Sequence, residues 1–304
     1  MKDIARIGMS ASEIRYCNSK IMEILSLYLN ILPDAITPEI VNEISKSCNI
    51  PVREAYAQAF AAVCELNIDR EDKGFFYNYI LPMLTERDPR EFENDPYYKN
   101  IKIPDGKTGS WELRSEVLKP CEAFVCGDLK VFPDGRMIPQ IAFFMREFSY
   151  PAILENGREW MTLMPNETVT TLPAISRAHG KVLTYGCGLG YFTYMASLKD
   201  EVDSVTVVEI SESAIQLFRE HILPQFEHKE KVRIINKDAL LYAKEDFAKE
   251  RYDFVFADIW HDVSDGKELM LKLKEYEKES PDTEYTYWIE DTINCYLDKK
   301  LWEL

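Results

Sequence analysis

Sixteen residues, KVLTYGCGLGYFTYMA from Lys181 to Ala196, constrain the fold more than any other stretch of the chain. Val182, Leu183 and Tyr185 suit a buried strand, and helical character resumes over Phe192 to Leu198. Between them Gly186, Gly188 and Gly190 permit positive φ and a close approach to the backbone. The stretch predicts strand, loop and helix. Such a loop holds a ligand at the carboxyl end of a parallel strand, with free N–H groups of the following helix directed at the same point. A dinucleotide fingerprint, G-x-G-x-x-G, would need glycine at 191 or 193, where Tyr191 and Thr193 stand. The pattern present is G-x-G-x-G.

Further strands and helices alternate behind the loop. Asp203 to Ile210 reads as a second buried strand ending in Glu209, nineteen residues after Gly190, and Ser211 to His221 as a helix. Val232 to Ile235 is a third strand that leads to Asn236-Lys237-Asp238-Ala239. Tyr252 to Trp260 (YDFVFADIW) is a fourth, with Asp258 at its end and Trp260, His261 and Asp262 following. Lys267 to Lys278 is a charged helix, Glu284 to Ile289 a fifth strand and Asp291 to Trp302 a closing helix.

In that order these features resemble the class I S-adenosylmethionine-dependent methyltransferases, whose first motif commonly runs apolar-apolar-acid-apolar-G-x-G-x-G. Thr184 stands where that family usually has the acid. The resemblance covers roughly residues 166–291 and implies an α/β, Rossmann-like domain around a parallel sheet, with S-adenosyl-L-methionine as cofactor. It carries over cofactor contacts from Thr184, Tyr185, Gly186, Cys187, Gly188, Gly190, Glu209, Ile210, Asp238, Ala239 and Asp258. Glu209 would accept hydrogen bonds from both ribose hydroxyls. Asp238 matches the acid that accepts the adenine amino group. The usual final antiparallel strand pair is missing from the sequence.

YDFVFADIW is most similar to the spermidine-synthase-like branch, in which the corresponding acid assists deprotonation of an attacking amine. The catalytic candidates are therefore Asp258, as base or as a group orienting the nucleophile, and His261 as the alternative base. The glycine loop of true aminopropyltransferases, richer in glycine and carrying an acid, is not matched. The resemblance implies first a methyltransferase acting on a small or medium substrate. The alternatives are aminopropyl or related aminoalkyl transfer to a polyamine-like substrate, and a non-catalytic cofactor-binding regulator.

Ahead of this domain the pattern changes twice. Residues 1–109 read as a helical module with a linker: Ser12 to Leu29, a helix capped at Thr37-Pro38, Pro51 to Leu66 and Lys73 to Thr85, then a polar loop from Asp88. Residues 41–60 have the look of a helix-turn-helix, but Arg53 is the only base of the second helix, so a packed helical hairpin is the reading adopted. Residues 110–165 read as a small antiparallel β region with strands over 122–132, 137–148 and 152–164 and turns at Pro133-Asp134-Gly135 and Asn156-Gly157. Residues 166–304 form the cofactor domain, and the acceptor site is expected between it and the helical module.

The formal charge of −16 over 304 residues argues against nucleic acid as the main partner, since phosphate backbones require a basic face. From Asn166 onward 17 basic residues face 27 acidic ones, which suits a sulfonium cofactor better than a pyrophosphate and permits a cationic small-molecule substrate. Seven cysteines without a C-x-x-C pair suggest reduced thiols, with no metal site. MKDIARIGMSASEIRY lacks the apolar core of a signal peptide, and no run approaches the roughly 20 apolar residues of a membrane span, so a cytoplasmic location without membrane partners is expected. A homo-oligomer is compatible with the sequence.

Overall fold

The computed structural model describes residues 9–108 and 111–302, in two compact units. Residues 1–8, part of the stretch read above for a leader, lie outside the described residues.

Among the described residues the first unit joins 9–89, 117–148 and 294–302. Its opening helix, Ala11–Ile31, starts at a capping box in which the Ser10 N–H donates to Glu13 Oε2 at 2.7 Å and Ser10 Oγ accepts from the Glu13 N–H at 3.3 Å. Pro38–Cys48 and Val52–Val63 form the helical hairpin. Asn49 supplies the left-handed residue at the end of the first helix, φ 53°. Arg53 Nε donates to the Leu84 carbonyl at 2.6 Å, and its guanidinium also reaches Leu81 O. Tyr28, Tyr56, Phe60, Tyr79 and Phe143 fill the core. At its edge the buried Asn18 amide accepts from Tyr79 Oη at 3.0 Å and the Met137 N–H at 3.0 Å, and donates to Gly135 O at 3.1 Å and Leu301 O at 3.3 Å. One side chain thereby ties four distant segments.

The expected strands over 122–132 and 137–148 are much shorter in the structure. Phe124–Val125, Lys130–Val131, Met137–Ile138 and Ile141–Phe143 pair over two or three residues each. Gly127, at φ 133°, falls inside the first run and Pro139 inside the second, and neither a positive-φ residue nor a proline continues a ladder. Ile141–Phe143 pairs in parallel with Leu84–Glu86 and antiparallel with Phe124–Val125.

The second unit joins residues 90–116 and 149–293. Its centre is a parallel sheet of β1 (Gly180–Tyr185), β2 (Val202–Glu209), β3 (Val232–Asn236), β4 (Phe254–Ala257) and β5 (Glu284–Tyr287), in the order β3-β2-β1-β4-β5. Every pairing is parallel, with Leu183 opposite Thr206 on one side and Val255 on the other. This is the Rossmann-like sheet expected from the sequence. Among the described residues no antiparallel strand extends it beyond β5.

Helices cover both faces. α1 (Pro165–Arg177) and α2 (Tyr191–Ser197) lie on one; Phe192 of α2 meets Phe256 of β4 with ring centroids 4.5 Å apart. α3 (Glu212–Leu217) follows β2. The other face is covered by α4 (Ala239–Glu245) and α5 (Val263–Tyr276), whose Ala243, Leu273 and Tyr276 surround a small void with Tyr185. The strand order reverses direction between β1 and β4, which makes their carboxyl ends the natural crevice.

Two further pieces complete this unit. Phe148–Glu155 and Arg158–Thr162 form a hairpin whose turn, Asn156 at φ 53° and Gly157 at φ 77°, has the paired positive φ of a tight hairpin connection. The stretch from Asp88, expected to be a loop, contains the short helices Arg90–Glu93 and Pro96–Asn100, the latter started by Asp95 accepting from the Tyr97 N–H at 2.8 Å. Among the described residues no helix is long and apolar enough to cross a membrane.

Candidate functional site

The glycine loop runs hard against the end of β4. Gly186 has φ 93°, and a Cβ there would lie 2.1 Å from the Asp258 carbonyl oxygen, so no side chain fits. Gly190 begins α2 at φ 77° with its missing Cβ 2.4 Å from the Phe218 ring. The Gly186 N–H ties the loop to β2 by donating to Val208 O at 2.9 Å, and the Gly190 N–H closes the loop on itself by donating to Cys187 O at 2.8 Å. Tyr97 Oη donates to Leu189 O, Tyr191 Oη to Asp95 at 2.9 Å, and Asn100 Nδ2 to Tyr194 Oη at 2.9 Å. The short helix Pro96–Asn100 therefore clasps the loop from outside.

Around the loop lies a cavity of about 480 Å³, within the range of small-molecule sites, and every residue lining it belongs to the second unit. Thr184, Gly186, Cys187, Gly188, Gly190, Glu209, Ile210, Asp238, Ala239, Asp258 and His261 all line it. Tyr185, expected among the cofactor contacts, instead turns to the opposite face of the sheet. Alternation along β1 sends Thr184 and Tyr185 to opposite sides. Only the Tyr185 carbonyl turns toward the loop, accepting from the Asp258 N–H at 3.0 Å.

Glu209 is buried at the end of β2. One carboxylate oxygen accepts from the Cys187 N–H at 3.1 Å and the other from the Ser211 N–H at 2.8 Å. Each oxygen keeps a second acceptor direction, which suits a pair of vicinal hydroxyls. Burial and the charge of Glu209 push the Cys187 thiol well above its ordinary value, so it lines the cavity as a neutral thiol. Asp238 Oδ1 caps α4 through the Leu241 N–H at 2.8 Å, and Ile210 stands exposed at the rim.

Asp258 lies at the end of β4, where burial raises its carboxyl to about 7 although His261 works to lower it. Glu167, in the first turn of α1, is raised to about 8 by burial and secondarily by the negative charge of Asp258. His261 occupies the rim, mostly exposed, with Nδ1 3.2 Å from Asp265. That places Asp258 at the interior of the cavity and His261 at its mouth. Trp260 is buried between the cavity and α5, where a Cβ on Gly266 would meet its ring at 2.7 Å.

Glu159, Trp160, Glu167 and Trp288 line the cavity without having been singled out in the sequence. Trp288 is held by its Nε1 donating to Thr170 Oγ1 at 2.8 Å. Glu167 had one signal, its place behind Pro165 at the start of a helix, and that signal also fits ordinary capping. Among the described residues five carboxylates, Glu159, Glu167, Glu209, Asp238 and Asp258, face the cavity, and no lysine or arginine does. Such an acceptor set receives hydroxyls, amino groups and cations, and disfavours phosphates.

No protein-family model and no curated protein matches the chain. Among solved structures it is similar to a Klebsiella pneumoniae protein described as an O-methyltransferase, at 18% identity over 38% of this chain and 51% of that one, with a TM-score of 0.30. It is also similar to spermidine synthase from Thermotoga maritima, at 14% identity over 45% of this chain and 49% of that one, with a TM-score of 0.33. The likeness thus spans about half the length of each of these proteins.

Proposed function

We propose that the cavity binds S-adenosyl-L-methionine and that the protein is a methyltransferase acting on a small or medium acceptor. The observation that carries this reading is the lining: a glycine loop and five carboxylates, with His261 at the mouth and, among the described residues, no lysine or arginine, at the carboxyl ends of parallel strands around the switch point. Glu209 would hold the ribose hydroxyls, Asp238 the adenine amino group, and the loop from Gly186 to Gly190 the remainder of the nucleoside. The cofactor, when bound, supplies an electrophilic methyl group on a sulfonium. The chain's own residues align the acceptor and exclude water, which accounts for much of the barrier reduction in reactions of this kind. Asp258 is the proton acceptor where the acceptor must be deprotonated, since a carboxyl raised to about 7 is poised for that at neutral pH. The reading extends to a cytoplasmic protein, in which the seven cysteines stay reduced thiols.

One feature favours a second reading, aminoalkyl transfer from the decarboxylated cofactor. With no lysine or arginine in the lining, a methionine carboxylate would depend on backbone N–H groups and the hydroxyls of Thr171, Thr184 and Thr193. Calorimetric titration with S-adenosylmethionine and S-adenosylhomocysteine, using NAD as a control, tests cofactor binding. No binding of either sulfur compound at millimolar concentration would rule the cofactor out. Incubating the protein with each cofactor form and an acceptor panel, followed by mass spectrometry, separates the two transfers: S-adenosylhomocysteine marks methyl transfer and methylthioadenosine aminoalkyl transfer.

A further inference from the structure

Four buried threonines line the cavity: Thr162 on the hairpin, Thr171 on α1, Thr184 on β1 and Thr193 on α2, none of them more than 7% exposed. Among the described residues none of their hydroxyls makes a hydrogen bond, whereas the neighbouring Thr168 and Thr170 donate to Pro165 O at 2.8 Å and Asn166 O at 2.7 Å. Enclosed polar groups are paired almost without exception, so the partners of these hydroxyls come from whatever fills the cavity. Three of the four share one face of the sheet. α1 and α2 cover that face, and alternation along β1 turns Thr184 toward it and Tyr185 away.

Other side-chain donors of the lining are committed elsewhere. Trp288 Nε1 donates to Thr170 Oγ1, Tyr191 Oη donates to Asp95, and Trp260 Nε1 lies against Gly266, where a Cβ would meet it at 3.0 Å. Of the polar groups on S-adenosylmethionine, the adenine amino group, the ribose hydroxyls and the ammonium all donate, and the acids of the lining suit them. The carboxylate only accepts, and with no lysine or arginine in the lining among the described residues the threonine hydroxyls remain for it. Glu167, raised to about 8 by burial, is largely protonated at neutral pH and repels such a group little. Thr184 itself stands at a position where an acid would repel it.

We infer that Thr171, Thr184 and Thr193 form an uncharged subsite that takes the carboxylate at the cofactor's amino-acid end and so selects S-adenosylmethionine over its decarboxylated form. The inference rests on the cofactor reading above and sets methyl transfer ahead of aminoalkyl transfer.

The full chain is titrated calorimetrically at neutral pH with S-adenosylhomocysteine, with its decarboxylated analogue, and with methylthioadenosine, which lacks the amino-acid end. S-adenosylhomocysteine should bind at least about tenfold more tightly than the decarboxylated analogue, since hydrogen bonds to a charged group are the stronger kind. Thr184→Val and Thr193→Val keep the side-chain shape, and each should weaken S-adenosylhomocysteine by about tenfold while leaving methylthioadenosine within about twofold. Thr184→Ser, which keeps the hydroxyl, should stay close to the unaltered chain. A decarboxylated analogue that binds as tightly as S-adenosylhomocysteine would overturn the inference while cofactor binding stands, as would valine variants that weaken all three ligands alike. Failure of all three to bind the unaltered chain would instead overturn the cofactor reading, and this inference with it.

Discussion

At Gly186 a single hydrogen atom decides whether β1 and β4 can end side by side. With φ at 93° and a Cβ only 2.1 Å from the Asp258 carbonyl oxygen, Gly186→Ala must both strain the backbone and push β4 away. A loss of about 2–4 kcal/mol is expected, read as a lower urea midpoint at unchanged slope. Glu209→Gln tests the neighbouring position. An amide has one acceptor oxygen where the carboxylate uses two, for the Cys187 and Ser211 N–H groups. S-adenosylhomocysteine affinity should fall about 10- to 100-fold, and calorimetry showing an unchanged Kd would remove Glu209 from the site. Gly186 was legible in the sequence because the backbone there admits only glycine, and Glu209 was picked out through the family resemblance, by its place at a strand end behind the loop. Glu167 was not, since a glutamate in a first helical turn is ordinary, and only its burial beside Asp258 sets it apart.

Whole elements were legible where periodicity is long and uninterrupted. The five parallel strands and the helix Ala11–Ile31 follow their hydrophobic patterns within a few residues. Residues 119–148 do not, because runs of apolar residues broken by a positive-φ Gly127 and by Pro139 pair only in fragments. The helix Pro96–Asn100 was hidden for the opposite reason: five residues are too few to show a period, and its start at Asp95-Pro96 lies in a polar stretch. That helix grips the glycine loop through Tyr97 Oη and the Leu189 carbonyl. Tyr97→Phe keeps the buried ring and removes the grip. Overall stability should fall by about 1 kcal/mol, with amide exchange accelerated selectively over residues 186–190. Uniform acceleration across the second unit would show that Tyr97 supports the core rather than the loop.

For the molecule as a whole, Glu167 and Asp258 set a dependence on pH. Their folded values, about 8 and about 7, lie above the ordinary 4.5 and 3.8, so the folded chain binds protons more tightly than the unfolded one. Their contribution to stability is full below about pH 4 and is lost as pH rises through 7 to 8. Paired surface acids such as Asp72 and Asp246 are shifted downward and act the other way, costing stability only as pH falls below their ordinary range. Between pH 5 and 8.5 the unliganded chain should therefore lose melting temperature, while the increment given by S-adenosylmethionine grows. Scanning calorimetry across that range checks both trends, and Glu167→Gln should flatten each by roughly half.

The hairpin from Phe148 to Thr162 bears on how such a protein diverges. It brings Glu159 and Trp160 to the cavity from outside the sheet, and α1 brings Glu167, whereas Glu209 and Asp238 stand on the strand ends themselves. On the proposed reading, the side chains that would hold the nucleoside and those that enter the cavity from outside the sheet are thus written in separate stretches of the gene. Recombination or drift confined to 148–167 would reshape one wall of the cavity and leave Glu209, Asp238 and Asp258 in place.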